Sequence, residues 1–160
     1  MVNIFPFKGW RFNTDIVSDL SQVIAPPYDV INDADQSALY ERSPYNYVRI
    51  ILNRSAGNER YSEAEKTFSE WKKNEILIQD TDPSVYLLCQ SFLQGEQQIE
   101  RTGFITKLKI TKLGGQVLPH EQTISKHIND RYNLMKATKA NTGQIFMSYR
   151  DQTRTVESIV

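Results

Sequence analysis

The chain has 160 residues, 39% apolar and 24% charged. That is one domain's length with enough apolar material for a buried core, which argues against wholesale disorder. Lys plus Arg equals Asp plus Glu, at 19 each, so coating duplex DNA or an anionic membrane is not its main work.

Residues 4–12 and 22–30 read as extended or turn structure, carrying Pro6 in the first and Pro26-Pro27 in the second. Asn32-Asp33 then offers a cap for a short helix over 34–42, stopped by Ser43-Pro44. Residues 47–52 (YVRIIL) are β-branched and aromatic, which predicts a strand. Tyr61, Ala64, Phe68 and Trp71 recur at spacings of three and four, the apolar stripe of an amphipathic helix over 59–74. Residues 84–92 and 97–110, joined by Gln94-Gly95-Glu96, predict a long antiparallel hairpin. Leu113-Gly114-Gly115-Gln116 is the next turn, leading to a short strand at 117–118. A second strong helix is expected over 123–137, and a last strand over 143–149. Strands dominate the middle with helices interposed irregularly, so the expected class is α+β with a mixed, largely antiparallel sheet and a few helices. The chain reads as a single domain over 1–160. Its last residues, Glu157-Ser158-Ile159-Val160, carry no cap or closing turn, which suggests the N-terminal fragment of a longer chain.

Several site types are argued against by residue type. One cysteine, Cys89, permits neither an intramolecular disulfide framework nor a Cys-based zinc cage. It falls in an apolar strand and reads as inert. Seven thinly spread glycines build neither a Gly-x-Gly-x-x-Gly turn nor a Walker loop. His120-Glu121 is not a His-Glu-x-x-His zinc motif, because position 124 is isoleucine. No basic segment followed by an apolar run opens the sequence, and no window approaches the ~18 apolar residues of a bilayer span. A cytoplasmic protein without membrane partners is expected.

The densest polar cluster runs from Pro119 to Arg131. With Thr123 starting a helix, Lys126, His127 and Asp130 fall within about 60° of it, while Ile124, Ile128 and Met135 gather roughly 100–140° round. Leu134 returns close to Thr123. Free N–H groups at the helix start with Lys126 beside them favour an anion. Glu121 or Asp130 could hold a divalent cation or take a proton, and His120 could donate to a phosphate oxygen. The plainer readings are Thr123 as an N-cap, Lys126–Asp130 as an exposed i,i+4 pair and His120 as a loop histidine. Ala25-Pro26-Pro27-Tyr28-Asp29-Val30 is the second candidate. Its prolines stiffen the backbone and hold Tyr28 and Asp29 as a pocket wall requires, or else form a structural turn. Arg101-Thr102-Gly103 is the third, with glycine permitting close approach or marking a bulge. Asn141, in Ala140-Asn141-Thr142-Gly143, caps or touches ligand. Trp10, Trp71 and most tyrosines read as core.

These segments occur together and in order: Ala25 to Val30, Arg101-Thr102-Gly103, His120-Glu121-Gln122-Thr123 with Asp130-Arg131, Ala140 to Gly143, and Tyr149-Arg150-Asp151. In this the chain resembles the N-terminal part of the DUF1015 family of uncharacterised bacterial proteins, from about Phe5 to Asp151. The resemblance implies a ParB/sulfiredoxin-like fold, whose members include nucleotide-binding and DNA-partitioning proteins and kinases of free serine. Family genes are often found beside serine-biosynthesis genes. Family members are more than twice this length. Pro119-His120-Glu121 stands near where the superfamily's Gly-x-x-Arg signature would fall.

Three functions follow as expectations. The first is a nucleotide-dependent phosphotransferase on a small hydroxyl compound such as serine, using ATP or ADP with Mg²⁺. There Thr123, Lys126, Arg131, Arg101 and Asn141 hold phosphate or nucleotide, and Glu121, His120 and Asp130 do the chemistry. Tyr28 and Asp29 line the substrate. The second is a non-catalytic nucleotide- or metabolite-binding module using the same pocket. The third is a DNA-binding adaptor, which the neutral charge balance disfavours.

Overall fold

A computed structural model describes residues 2–112, 114–120 and 125–153. The protein is α+β, with four helices and three small antiparallel sheets, each of two strands, among the described residues. It divides into two compact units. The helical unit comprises residues 10–80 and 121–142, and the hairpin unit residues 1–9, 81–120 and 143–160. Among the described residues no helix is long and apolar enough to cross a membrane.

In the helical unit, β2 (Trp10–Phe12) pairs antiparallel with β3 (Leu77–Gln79). α1 (Asp33–Arg42) starts at Asn32, whose side chain accepts from Asp35 N while the Asp35 carboxylate accepts from Asn32 N. This capping box satisfies two helix-end donors, which fixes the start where the sequence places it. α3 (Glu59–Lys73) buries Ala64, Phe68 and Trp71 along its expected stripe. Trp71 packs between Phe12 (centroids 5.9 Å) and Tyr45 (6.2 Å), within a core of Val17, Val23, Ile50, Phe68, Ile76 and Leu77. Trp10, expected in the core, is exposed, with the Lys72 ammonium 5.7 Å from its ring.

Residues 47–52 correct the strand expectation. Val48–Ile51 form a one-turn helix, α2, with Val48, Ile50 and Ile51 all buried. A two-sided apolar run of this length reads equally as a buried strand or a buried helical turn. Asn46 decides between them. Its side chain is fully buried, its Oδ1 accepts from Val48 N at 3.1 Å, and its Nδ2 donates to the carbonyls of Gln22 (2.8 Å) and Ile24 (3.0 Å). The amide thereby caps the turn and ties it to the segment entering the prolines.

α4 (Ser125–Thr138) also departs from expectation. Its buried face is Asp130, Leu134 and Thr138, spaced by four, while Ile128 and Met135 are exposed. The face read as polar is the one that packs, because Asp130 has hydrogen-bonding and cationic partners on α3. Lys139, at φ 52, ends the helix.

In the hairpin unit, β4 (Tyr86–Gln94) and β5 (Gln97–Ile105) form the expected hairpin around Gly95, at φ 63. β1 (Ile4–Phe5) pairs with β6 (Lys107–Leu108), which is separated from β5 by Thr106. The Thr106 hydroxyl donates to Phe5 O at 2.7 Å. The strands expected at 117–118 and 143–149 are absent. Val117 O instead accepts from Gly114 N to close a turn. Phe146 and Tyr149 are held through their rings, against Arg101 and Phe104. Cys89 is in β4, as expected, but exposed.

Replacing Asn46 with Ala leaves the Gln22 and Ile24 carbonyls and the buried Val48 N–H without their partner. The expected loss of stability is about 2–4 kcal/mol in urea denaturation. A loss no larger than that of an exposed Asn→Ala change would show that Asn46 does not organise this corner.

Candidate functional site

Pro26 and Pro27 feed a single 3-10 turn at Tyr28–Val30, closed by Val30 N donating to Pro27 O at 3.1 Å. The ring of Pro27 fixes the approach (φ −53) and aims the following side chain. Tyr28 is half-buried and Asp29 exposed. The Tyr28 hydroxyl is 2.8 Å from His127 Nδ1. With the imidazole proton on Nε2, the phenol donates to Nδ1. Arg131 lies one turn on from His127, and its guanidinium carbon sits 3.6 Å from the Tyr28 ring centroid. His127 and Arg131 thus meet the hydroxyl and the face of one tyrosine, as an i,i+4 pair on a helix permits.

Arg131 is fixed on two further sides. Its Nε donates to Asp130 Oδ2 at 2.9 Å, and its Nη2 donates to the same carboxylate and to Ile51 O, the latter at 3.1 Å. Asp130 also accepts from the Tyr61 hydroxyl at 2.9 Å and pairs with Arg60. Arg60 in turn donates to the Tyr61 hydroxyl at 2.9 Å. Two guanidiniums therefore share one buried carboxylate. Their side chains keep about a third of their exposure (34% for Arg60, 31% for Arg131), whereas Asp130 keeps 11%. Burial lowers the Arg131 pKa from its ordinary value. The Tyr28 phenol opposes that shift and the Arg60 charge adds to it. A partly desolvated cation with a second cation nearby favours further negative charge. Arg131 Nη1 has no hydrogen-bond partner among the described residues.

Tyr47 packs into the core and donates to Thr142 O at 3.2 Å. Burial pushes its phenol up to about 12, against a smaller opposing pull from Arg131. Beside the ion cluster, Asn58, Tyr61, Asn133, Lys136 and Ala137 line a shallow recess of about 380 Å³.

Of the residues the sequence singles out, Tyr28, Asp130 and Arg131 come together, with Asp29 at their edge. Glu121 and Thr123 lie outside the described residues. His120 is exposed in the hairpin unit. Lys126 and Asn141 are exposed in the helical unit, and Lys126 forms no ion pair among the described residues. The i,i+4 pair of Lys126 with Asp130 does not form, since Asp130 is turned inward to arginines. Arg101 belongs to β5. Its Nε and Nη2 donate to Gln90 Oε1 at 3.0 and 2.7 Å, and the Phe92 and Phe146 rings flank it. Arg60 and Tyr61 escape sequence reasoning because Tyr61 reads as one more member of the α3 apolar stripe. Among the described residues no three His, Cys, Asp or Glu side chains gather to hold a metal ion. Asp130 does not fit Mg²⁺ either, with guanidiniums occupying its oxygens.

The family model of DUF1015, described as a protein of unknown function, matches residues 4–160. The chain belongs to the DUF1015 family. No curated protein and no solved structure matches it. In this DUF1015 chain, the family-like segments Ala25 to Val30 and Asp130-Arg131 meet in space through the Tyr28–Arg131 stack.

Removing the shared carboxylate should hurt more than removing one of its cations. Asp130→Ala is expected to cost about 3–5 kcal/mol, because two arginines lose their counter-charge. Arg60→Ala is expected to cost roughly half of that or less, since Arg131 still neutralises Asp130. Urea denaturation of both variants gives the order, and the reverse order would refute the shared-carboxylate account. A pH series tests Tyr47. Its folded-state value, about 12, lies above the ordinary 10.0, so folding favours the protonated phenol. Its stabilisation is whole below pH 10.0 and is lost as pH rises toward about 12. Tyr47→Phe should flatten that part of the stability curve.

Proposed function

We infer that the corner formed by Tyr28, His127 and Arg131, backed by Arg60, binds the phosphate of a small phosphorylated ligand. One observation carries this reading: Arg131 is locked by a ring, a carboxylate and a carbonyl, yet keeps Nη1 and a third of its surface for something else. A guanidinium held in this way loses little further freedom on binding, and its planar fork suits phosphate. The cluster of Arg60, Asp130 and Arg131 carries two positive charges and one negative. A phosphate would answer that excess and offset the desolvation of Arg131. The His127 Nε2–H, with Nδ1 accepting from Tyr28, adds a neutral donor at the rim.

The phosphotransferase reading rests on the same corner. Arg60 and Arg131 would neutralise charge on the transferring group, and His127, in the tautomer whose Nδ1–H donates to the Tyr28 oxygen, would receive on Nε2 the proton of an acceptor hydroxyl such as that of serine. ATP or ADP is the proposed donor, and Glu121 the proposed base in place of His127 if it reaches the acceptor. Asp130 is committed to Arg60, Arg131 and Tyr61 and does not serve as a ligand to Mg²⁺. That commitment favours the second reading, a binding module without turnover: the corner's buried carboxylate is spent on structure.

Calorimetry with inorganic phosphate, ATP and phosphoserine tests the shared claim. Saturable binding of at least one is expected. Arg131→Gln should weaken it at least tenfold, on the order of 1.4 kcal/mol or more, while circular dichroism stays native. No binding of any of the three would overturn the site. A product assay with ATP or ADP and serine then separates the readings. Under the enzyme reading phosphoserine accumulates, and Glu121→Gln stops turnover while sparing much of the binding.

A further inference from the structure

We propose that two copies of this chain associate edge to edge through β4, forming a four-stranded sheet in the order β5-β4-β4-β5 about a two-fold axis at Gln90. Among the described residues β4 pairs only with β5, so the other edge of this nine-residue strand is open. That edge has none of the usual protection. The strand reads Tyr-Leu-Leu-Cys-Gln-Ser-Phe-Leu-Gln, with no charge and no proline. Leu87 (53%), Leu88 (41%), Phe92 (42%) and Leu93 (73%) are exposed on it. β5 is different: Glu100 and Arg101 stand at its middle, the kind of charged residues that blunt an edge.

The occupant is a second copy because β4 is complementary to itself. A two-fold axis normal to the sheet at Gln90 sets Cys89 opposite Ser91 of the other copy, Leu88 opposite Phe92, and Leu87 opposite Leu93. Leu88 and Phe92 with their mates then form two apolar pairs on one face of the sheet, one on each side of the Gln90 pair. Leu87 and Leu93 with theirs form two more on the opposite face, as strand alternation requires. No like charges meet anywhere along the line, since the strand has none. The backbone parity agrees. Gln94 and Gln97 flank the two-residue turn at Gly95-Glu96 and are register partners, and such a pair exchanges both hydrogen bonds. Counting back by twos from Gln94, the residues Phe92, Gln90 and Leu88 also bond toward β5. Leu87, Cys89, Ser91 and Leu93 therefore aim their N–H and C=O groups at the open edge. In the proposed register these four residues pair with one another and with nothing else, so every outward group finds a partner. Shifting the axis by one residue, to Cys89 or Ser91, sets polar Gln90 opposite Leu88 or Phe92 and loses the matched pairs.

Placing Gln90 opposite its own counterpart in a non-hydrogen-bonded pair brings the two Cα atoms to about 4.5 Å, within reach of a disulfide. Ser91 lies diagonally from its own copy, at roughly 8–9 Å, beyond that reach. The test uses the whole 160-residue chain in a Cys89→Ser background. Gln90→Cys and Ser91→Cys are each treated with diamide and run on non-reducing gels, beside sedimentation of the parent chain over micromolar to sub-millimolar concentrations. The expected result is a parent dimer, with rapid cross-linking of Gln90→Cys and little of Ser91→Cys. Gln90→Lys, which sets two ammonium groups face to face, should lose the dimer and keep a native circular dichroism spectrum. A parent that stays monomeric throughout, equal cross-linking of both cysteine variants, or open-ended growth beyond a dimer would each overturn the proposal.

Discussion

The helical unit depends on one buried carboxylate. Asp130 is the point at which α4 is tied to α3, through Arg60 and Tyr61, and, by way of Arg131, to the last carbonyl of α2 and to the ring of Tyr28. A carboxylate out of water is costly unless its oxygens are answered. Here they are answered by two guanidiniums and a phenol, so the same charges that would oppose folding if separated instead specify one arrangement. The choice of arginine matters. A lysine at position 131 could neutralise Asp130 but could not also lie flat on Tyr28 while donating sideways to Ile51 O.

A second polar anchor works without charge. Asn46 satisfies two carbonyls ahead of the prolines and the first N–H of α2. It therefore fixes the path by which the chain arrives at Pro26 and Pro27. Tyr28 is placed from both ends: by Asn46 through the backbone, and by His127 and Arg131 through its side chain. This double fixing makes the corner a suitable place for ligand chemistry, because a group held on a rigid frame loses little freedom when a ligand arrives.

The sequence disclosed what is local. The helix cap at Asn32, the stripe Ala64–Phe68–Trp71 and the hairpin around Gly95 each depend on residues within one or two turns of each other. It misled wherever the deciding partner is remote. Val48–Ile51 became helical because Asn46 reaches back 22 and 24 residues. The faces of α4 were inverted because Asp130 meets Tyr61, 69 positions away. Hydrophobic periodicity treats an aspartate as an outward residue, and only a buried cation reverses that. The candidate site was legible in part. Tyr28 and Arg131 stand out as residue types in a stiff segment and a polar cluster, whereas Arg60 and Tyr61 were hidden inside a helix that explained itself by packing.

The two units solve burial differently. Among the described residues all twelve buried apolar side chains, from Val17 to Leu134, belong to the helical unit, so that unit holds its shape by a core of its own. The described part of the hairpin unit has none, and a two-stranded ribbon gains little from hydrogen bonds that water could equally supply. Its stability must come from side-chain pairs across the strands, such as Arg101 with Gln90, from ring contacts such as Phe104 with Tyr149, and from whatever covers Leu87, Leu88, Phe92 and Leu93. An uncharged strand in that position is not explained by solubility, which would favour lysine at the edge. It is explained if the edge is an interface, and the same lack of charge that makes β4 a hazard alone makes it self-complementary in a pair.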